Sequence, residues 1–488
     1  MTDILSPIDL AVVGHTNTGK TSLLRTLLRD ELFGEVADEP GTTRHVESAQ
    51  LLSGSGQPML ILRDTPGLED AMGVLDYLDQ LIQTDPSEER PDGPERIQRL
   101  LDSPESTERF EQECRVLDTV LKTDAALYVI DVRDPVLPKH RDELTLLAAC
   151  GRPILPVLNF TRSPLADVLA WREALARLGL HATVDFDTVA PALDGESQML
   201  DRLALMLSQQ APGLMALRTD LGQQRLKRLQ DATRLIAELL MDAAALRLPC
   251  LHEPAELAAI TLVLRKRTRD REQSCVHALL KRYRFSKSTF PHYPLPLEGE
   301  RWGMDLFSPM AMRDFGIKVS KGLATGAMAG ATVDVLTGGL SLGTATLLGA
   351  AIGGVWQGAN QWGKRLIGRL AGQVEMTVDD PVLHLLGLRQ LALVRALECR
   401  GHAAMRPISQ DLMAQINAVP DAPAEDAAPT ENASPPTEPL NRLPPAVQTI
   451  LNEARSHPSW STIGENPAPD LQRELLIGQM AHALFLAL

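Results

Sequence analysis

The residues of this chain best placed to do chemistry are a lysine and a hydroxyl closing a glycine loop, Gly14-His15-Thr16-Asn17-Thr18-Gly19-Lys20-Thr21-Ser22. The spacing G-x-x-x-x-G-K-[ST] makes backbone N–H groups converge on an anion at the start of a helix. Lys20 would reach the β- and γ-phosphates of a nucleotide, and the Thr21 hydroxyl would coordinate Mg²⁺. Two later stretches carry compatible chemistry. The loop Pro40-Gly41-Thr42-Thr43-Arg44 offers the Thr43 hydroxyl to the same Mg²⁺. Asp64-Thr65-Pro66-Gly67 offers a carboxylate that binds the ion through water, and the Gly67 N–H for the γ-phosphate. Both loops would be ordered by a triphosphate and released on hydrolysis.

The elements that must position these groups are legible. Ile8–Val13 is an apolar run entering the loop, and Leu23, Leu24, Leu27 and Leu28 repeat at helical spacing on the way out. Met59–Leu62 leads into Asp64. Apolar runs at 125–132 and 153–159 flank a helix expected at about 138–150. Strands alternating with helices predict a doubly wound, mostly parallel sheet, the α/β fold of a phosphate-loop NTPase.

Together the three loops resemble the first three motifs of the Era and TrmE-like bacterial GTPases, over roughly the first 190 residues. The resemblance implies a GTP-binding molecular switch that hydrolyses slowly, with GTP and GDP as ligands and the ribosome or RNA as the relatives' field of action. It implies Lys20, Thr43 and Gly67 as catalytic residues, and Thr21, Thr43 and Asp64 as the Mg²⁺ set. Residues 14–22, Asp64, Gly67 and Asn159 make up the nucleotide site. Asn17 matches the loop asparagine that helps hold K⁺ in potassium-activated members; shaping the loop is its alternative role. Leu68 stands where Ras-like enzymes carry a water-orienting glutamine, so transition-state charge must be met otherwise. No residue stands out as a general base, and Glu69 is the nearest to try.

The base-recognition motif departs from the family. Asn-Lys-x-Asp is replaced by Asn159-Phe160-Thr161-Arg162. An arginine cannot accept the guanine N–H groups. Asp185 and Asp187 are the carboxylates near enough in sequence to stand in.

Net charge is −15, which excludes a generally basic nucleic-acid surface but leaves room for a local patch. More than half of that excess lies in residues 70–115, an acidic insertion with 13 Asp and Glu against 5 Arg. Short amphipathic helices are expected around Val74–Ile82 and Phe110–Leu121, with a polar loop from Thr84 to Pro94. A solvated, partly disordered loop and a nucleotide-controlled partner arm are its two readings. Five scattered cysteines with no C-x-x-C pair, and an N-terminus without signal-peptide features, predict a reduced, cytoplasmic protein.

The organisation expected is a G domain over 1–212, then a mainly α-helical region over 213–416, a disordered linker over 417–445, and short helices over 446–488. Leu214–Arg284 reads as charged helix, with basic clusters Arg265-Lys266-Arg267 and Lys281-Arg282 that suit RNA, anionic lipid or solvent. Residues 322–359 hold ten glycines, many spaced by four, and one charge, Asp334. They predict a helical hairpin with arms at about 322–336 and 340–359. Its readings are a shallow insertion into inner-membrane lipid, making the protein a membrane-associated GTPase, and a tightly packed soluble hairpin. A nucleotide-binding scaffold with little hydrolysis is the third functional reading.

Overall fold

The computed structural model describes residues 6–30, 33, 46–54, 56–83, 91–285, 297–298, 301–302, 305–314, 317, 331–334, 373–402, 442–463 and 470–488. They form two compact units. The first comprises Met1–Lys227 with Tyr283–Phe290 and Glu398–Arg406; the second comprises Arg228–Arg282, Pro291–Leu397 and Pro407–Leu488.

The first unit is built on six strands: β1 (Ile8–Val13), β2 (Glu47–Leu52), β3 (Pro58–Asp64), β4 (Ala125–Asp131), β5 (Ile154–Asn159) and β6 (Val184–Asp185). Their order is β2-β3-β1-β4-β5-β6, parallel throughout except for β2. The central strands read as continuous apolar runs because both faces are covered. On one face, Ala11, Val13, Tyr128 and Ile130 pack with Val116 and Val120 of α5 (Glu111–Lys122), Leu144 and Leu147 of α6 (Pro138–Ala148), and Trp171 of α7 (Val168–Arg177). On the other, Leu10, Val12 and Leu127 meet Leu23 and Leu24 of α1 (Lys20–Leu28) and Leu200 and Leu203 of α8 (Gly195–Met206). The register sets Val12 beside Asp64, and Asp131 beside Asn159. All four therefore lie at the carboxyl edge of the sheet, where ligands of open α/β sheets bind.

The acidic insertion is a folded part of this unit wherever it is described, which corrects the expectation of a solvated loop. It forms α2 (Ala71–Gln83), α3 (Gly93–Leu101), α4 (Glu105–Glu108) and the start of α5. The Asp92 carboxylate caps α3 by accepting from Glu95 N at 2.9 Å, so Gly93 and Pro94 belong to a helix and not to a loop. Ile97, Leu100 and Phe110 are fully buried in the same core as Val74 and Leu78. Three such side chains contribute roughly 1.5–3 kcal/mol each. That outweighs the few tenths of a kcal/mol carried by exposed charges. Residues 84–90 lie outside the described set.

In the second unit, helix predominates. The segment expected as one helical stretch is two long helices, α9 (Ala211–Ala245), which belongs to the first unit as far as Lys227, and α10 (Pro254–Arg282), separated by strand β7 (Leu248–Leu251). Pro249 and Pro254 explain the break, since neither supplies a helical N–H. The helix Asp380–Glu398 is buried on almost all sides, and Pro445–Arg455 and Leu471–Leu486 are helical as expected. Several α10 arginines make internal contacts: Arg282 meets Asp231 at 2.8 Å, and Arg265 and Arg269 each lie 5.3 Å from the Phe307 ring.

Most of the glycine-rich segment 322–359, residues 417–441 of the expected linker 417–445, and Thr43 lie outside the described residues; the linker's last residue, Pro445, begins the helix Pro445–Arg455. Within 322–336, Ala331–Asp334 is a β-strand antiparallel to Gln373–Val378, not helix, with Asp334 opposite Glu375. Thr332 and Val333 are β-branched and favour that conformation. Among the described residues no helix is long and apolar enough to cross a membrane.

One buried carboxyl in this unit gives a pH test. Burial pushes Glu272 up to about 7, and the Arg389 guanidinium, 3.8 Å away, pulls it back only in part. A carboxyl raised on folding supports the native state below its unfolded value of about 4.3. That support is lost as pH rises through about 7. The thermal midpoint of the parent should therefore fall from pH 5 to pH 8 more steeply than that of Glu272→Gln. Parallel slopes would refute it.

Candidate nucleotide-binding site

The loop 14–22 wraps the N-terminus of α1, and its side chains tie it shut from within. Lys20 is buried and its Nζ donates to the carbonyls of His15 at 2.8 Å and Gly14 at 3.3 Å. Burial lowers Lys20 to about 8, although Asp64, Glu143 and Glu69 pull it upward. Thr18 Oγ1 donates to His15 O. Asn17 is exposed with φ of 65°, a left-handed conformation that asparagine tolerates better than most residues. Ser22 is half-buried on the first turn of α1.

Two of the residues that the motifs assign to Mg²⁺, Thr21 and Asp64, lie together. Thr21 Oγ1 donates to Asp64 Oδ2 at 2.5 Å. The other carboxylate oxygen, Asp64 Oδ1, is buried without a hydrogen-bond partner among the described residues. Burial pushes this carboxyl up to about 6, with the Thr21 hydroxyl and Lys20 opposing. A hydroxyl beside a carboxylate with an orphaned oxygen suits a hard, oxygen-seeking cation such as Mg²⁺.

The segment after Asp64 lies directly on the loop. Leu68 N–H donates to Gly14 O at 3.1 Å, and Leu68 is fully buried, so its side chain faces the core and not a substrate. Gly67 packs on Thr16: a methyl group there would come within 2.3 Å of Thr16 Oγ1 and 2.7 Å of its Cα. Thr16 Oγ1 in turn donates to Glu69 Oε1 at 3.1 Å, which brings that carboxylate to the rim of the loop. The insertion supports this arrangement, because buried Glu113 of α5 accepts the N–H groups of Glu69 and Asp70.

Asn159 joins the loops at the other side. Its Nδ2 donates to Thr18 O at 2.9 Å, and its Oδ1 accepts from Phe160 N and Thr188 N. Asp185 pairs with Arg172 at 2.7 Å, whereas Asp187 accepts backbone N–H groups from Arg162, Val189 and Ala190.

The partners of His15, and the part played by Gly401, were not legible in the sequence. His15 sits between Glu143 and Lys139 of α6: its Nδ1 is 2.8 Å from Glu143 Oε1, and its Nε2 is 2.8 Å from Lys139 Nζ. Because lysine only donates, Nε2 accepts and the proton sits on Nδ1. Tyr128 OH donates to the same carboxylate at 2.6 Å. Gly401 donates its N–H to Val189 O at 3.0 Å, and a side chain there would strike Thr188 O. The partners of His15 and of Gly401 lie more than 100 residues away along the chain, and no local pattern announces them.

Comparisons with known proteins fit this geometry. Residues 9–160 match the family model described as "50S ribosome-binding GTPase", and residues 172–482 match a domain of unknown function, DUF3482. GTPase Der of Baumannia cicadellinicola is 24% identical over 176 residues, 35% of this chain and 30% of its own length. GTPase Era of Carboxydothermus hydrogenoformans is 28% identical over 150 residues, 31% of this chain and 38% of its own. The tRNA modification GTPase MnmE of Orientia tsutsugamushi is 50% identical over 64 residues, 13% of this chain and 14% of its own. The chain thus spans little more than a third of any of these relatives at most. The DUF3482 match covers well over half of the chain, which accordingly belongs to that family, carrying an Era/TrmE-like GTPase domain ahead of the domain of unknown function.

Proposed function

We propose that the protein is a nucleotide-controlled switch that binds GTP with Mg²⁺ and hydrolyses it slowly. The observation that carries this reading is the docking of the segment after Asp64 onto the phosphate loop, through Leu68 N–H on Gly14 O and Gly67 on Thr16. A γ-phosphate entering beside Thr16 must displace or recruit that segment, which makes it a sensor of the triphosphate. Lys20 would exchange its two carbonyl acceptors for phosphate oxygens. Thr21 and Asp64 would hold Mg²⁺, which supplies charge neutralisation on the phosphates when bound. Leu68 points away, so Glu69, held at the rim by Thr16, is the group we assign to orienting the attacking water. Asn17 on the exposed left-handed turn is our candidate K⁺ ligand, supplying the charge that glutamine and arginine provide elsewhere.

The partner is proposed by likeness alone. The family description and one relative's name point to the ribosome or to RNA.

Calorimetric titration with GTP and GDP, in K⁺ and again in Na⁺, tests the reading. Micromolar binding of both with Mg²⁺, and faster turnover in K⁺, are expected. Failure to bind either nucleotide would sink it. The switch itself has a separate test. Gly67→Ala should cut GTP turnover by roughly a hundredfold, the scale of one lost transition-state donor. GDP affinity should fall less than GTP affinity: the added methyl crowds Thr16 for both nucleotides, but GDP lacks the γ-phosphate that Gly67 reads. Equal losses for both nucleotides would argue against a sensor role.

A further inference from the structure

The family carboxylate that reads guanine is absent, since residue 162 is arginine. The sheet order locates where a base would lie. The phosphate loop follows β1, and the Asp64–Gly67 side, toward β3, takes Mg²⁺ and the γ-phosphate. The nucleoside end must then extend the opposite way, across the carboxyl ends of β5 and β6. Phe160 and Asp187 stand there. The Phe160 ring reaches 3.4 Å from the position a Cβ on Gly19 would take, and its backbone is left-handed, with φ of 59°. The Arg133 guanidinium lies 3.8 Å from the ring centroid and is clamped in place by two bonds to Asp131, at 2.9 and 2.6 Å. Aromatic faces bind any base by stacking and do not select among them.

Selection needs an acceptor, and one is present. Asp187 Oδ2 is 3.1 Å from the backbone nitrogen of Arg162, the residue that replaces the family's aspartate. Asp187 Oδ1 takes two N–H groups, from Val189 and Ala190, but Oδ2 takes only the one from Arg162. Asp187 is buried, 6% exposed, and a carboxylate oxygen has two lone pairs, so Oδ2 has the capacity to accept a second hydrogen bond. We propose that Asp187 is the residue that selects guanine, reading the N1–H and 2-amino edge from the loop after β6, while the base lies on Phe160 backed by Arg133. This rests on the nucleotide-binding reading above.

The first test uses the unmodified protein. GTP should bind about tenfold or more tighter than ITP, which lacks the 2-amino group, on the scale of one hydrogen bond to a charged group. Equal affinity for GTP and ITP would overturn the assignment. Asp187→Asn is the second. An amide offers one acceptor and one donor, which complements xanthine, whose O2 replaces the 2-amino group. The variant should lose about tenfold or more for GTP and gain for XTP. A parallel loss of GTP, XTP and ATP would mean that Asp187 only shapes its loop, and would overturn the proposal. Phe160→Ala should weaken GTP, ITP and XTP alike, as a stacking surface must; loss confined to GTP would contradict its part. Absence of GTP binding by the parent would overturn the proposed function along with this inference. GTP binding without discrimination would overturn this inference alone.

Discussion

Lys20→Ala should abolish measurable GTP turnover, a loss of about a thousandfold or more, since one preorganised cationic donor on a transferring phosphoryl group supplies at least that much. Affinity for GTP should fall more than affinity for GDP if Lys20 spans the β- and γ-phosphates as proposed. The fold should survive. Burial lowers Lys20 to about 8, so its folded value lies below its unfolded one of about 10.4. A lysine lowered on folding burdens the native state at neutral pH, and the burden lifts as pH rises from about 8 toward its unfolded value. Removing it should relieve that cost, set against the lost packing of its stem and its bonds to Gly14 O and His15 O. Without nucleotide, the thermal midpoint should stay within about 4 °C of the parent, equivalent to roughly 1 kcal/mol in a domain of this size. Robust turnover in the variant would remove Lys20 from the mechanism. A collapse of the midpoint would mean that the lysine is structural first.

Asp242→Ala should have the largest effect on stability. Asp242 is fully buried and carries four hydrogen bonds on its carboxylate. Arg271 Nε donates at 2.8 Å, Arg473 Nη2 at 2.9 Å, and Thr462 through its N–H at 3.1 Å and its hydroxyl at 2.8 Å. Ser461 Oγ adds a bond to the Asp242 carbonyl at 2.9 Å, and Arg473 Nε reaches Trp460 O at 2.8 Å. The alanine variant would leave two guanidinium groups without their shared anion in a largely dry site. Breaking such a buried pair costs about 3–5 kcal/mol. Urea unfolding should show that loss in the second unit. Hydrogen exchange should quicken first in Leu471–Leu486, whose entry Arg473 anchors. A change under about 1 kcal/mol, typical of an exposed ion pair, would show that the network is not holding the C-terminal helices.

The two units differ in how far the sequence discloses them. In the first, the strands at Ile8–Val13 and Ala125–Asp131 and the helix from Lys20 follow from local patterns. Each pattern is set by a few consecutive residues and a period. The second unit shows its helices but not strand Leu248–Leu251. A four-residue apolar run carries no period of its own, and this one becomes a strand by pairing with Gln373–Val378. The acidic insertion misleads for a related reason. Its charge count dominates the composition, while Ile97, Leu100 and Phe110, few in number, decide its fold by burial.

For the site, the sequence by itself determined the phosphate loop, Lys20, the Thr21 hydroxyl and the Asp64 carboxylate. The backbone geometry that binds phosphate is local, and a short motif can encode all of it. The tertiary structure decided what surrounds them. It seats Gly67 on Thr16, ties His15 to Glu143 and Lys139, closes Gly401 over the loop at 188–189, and places the Asp187 carboxylate beside the backbone of Arg162. Each of those contacts joins residues that only sheet order and helix packing bring together, and chain spacing carries no record of distance once the chain has folded back on itself.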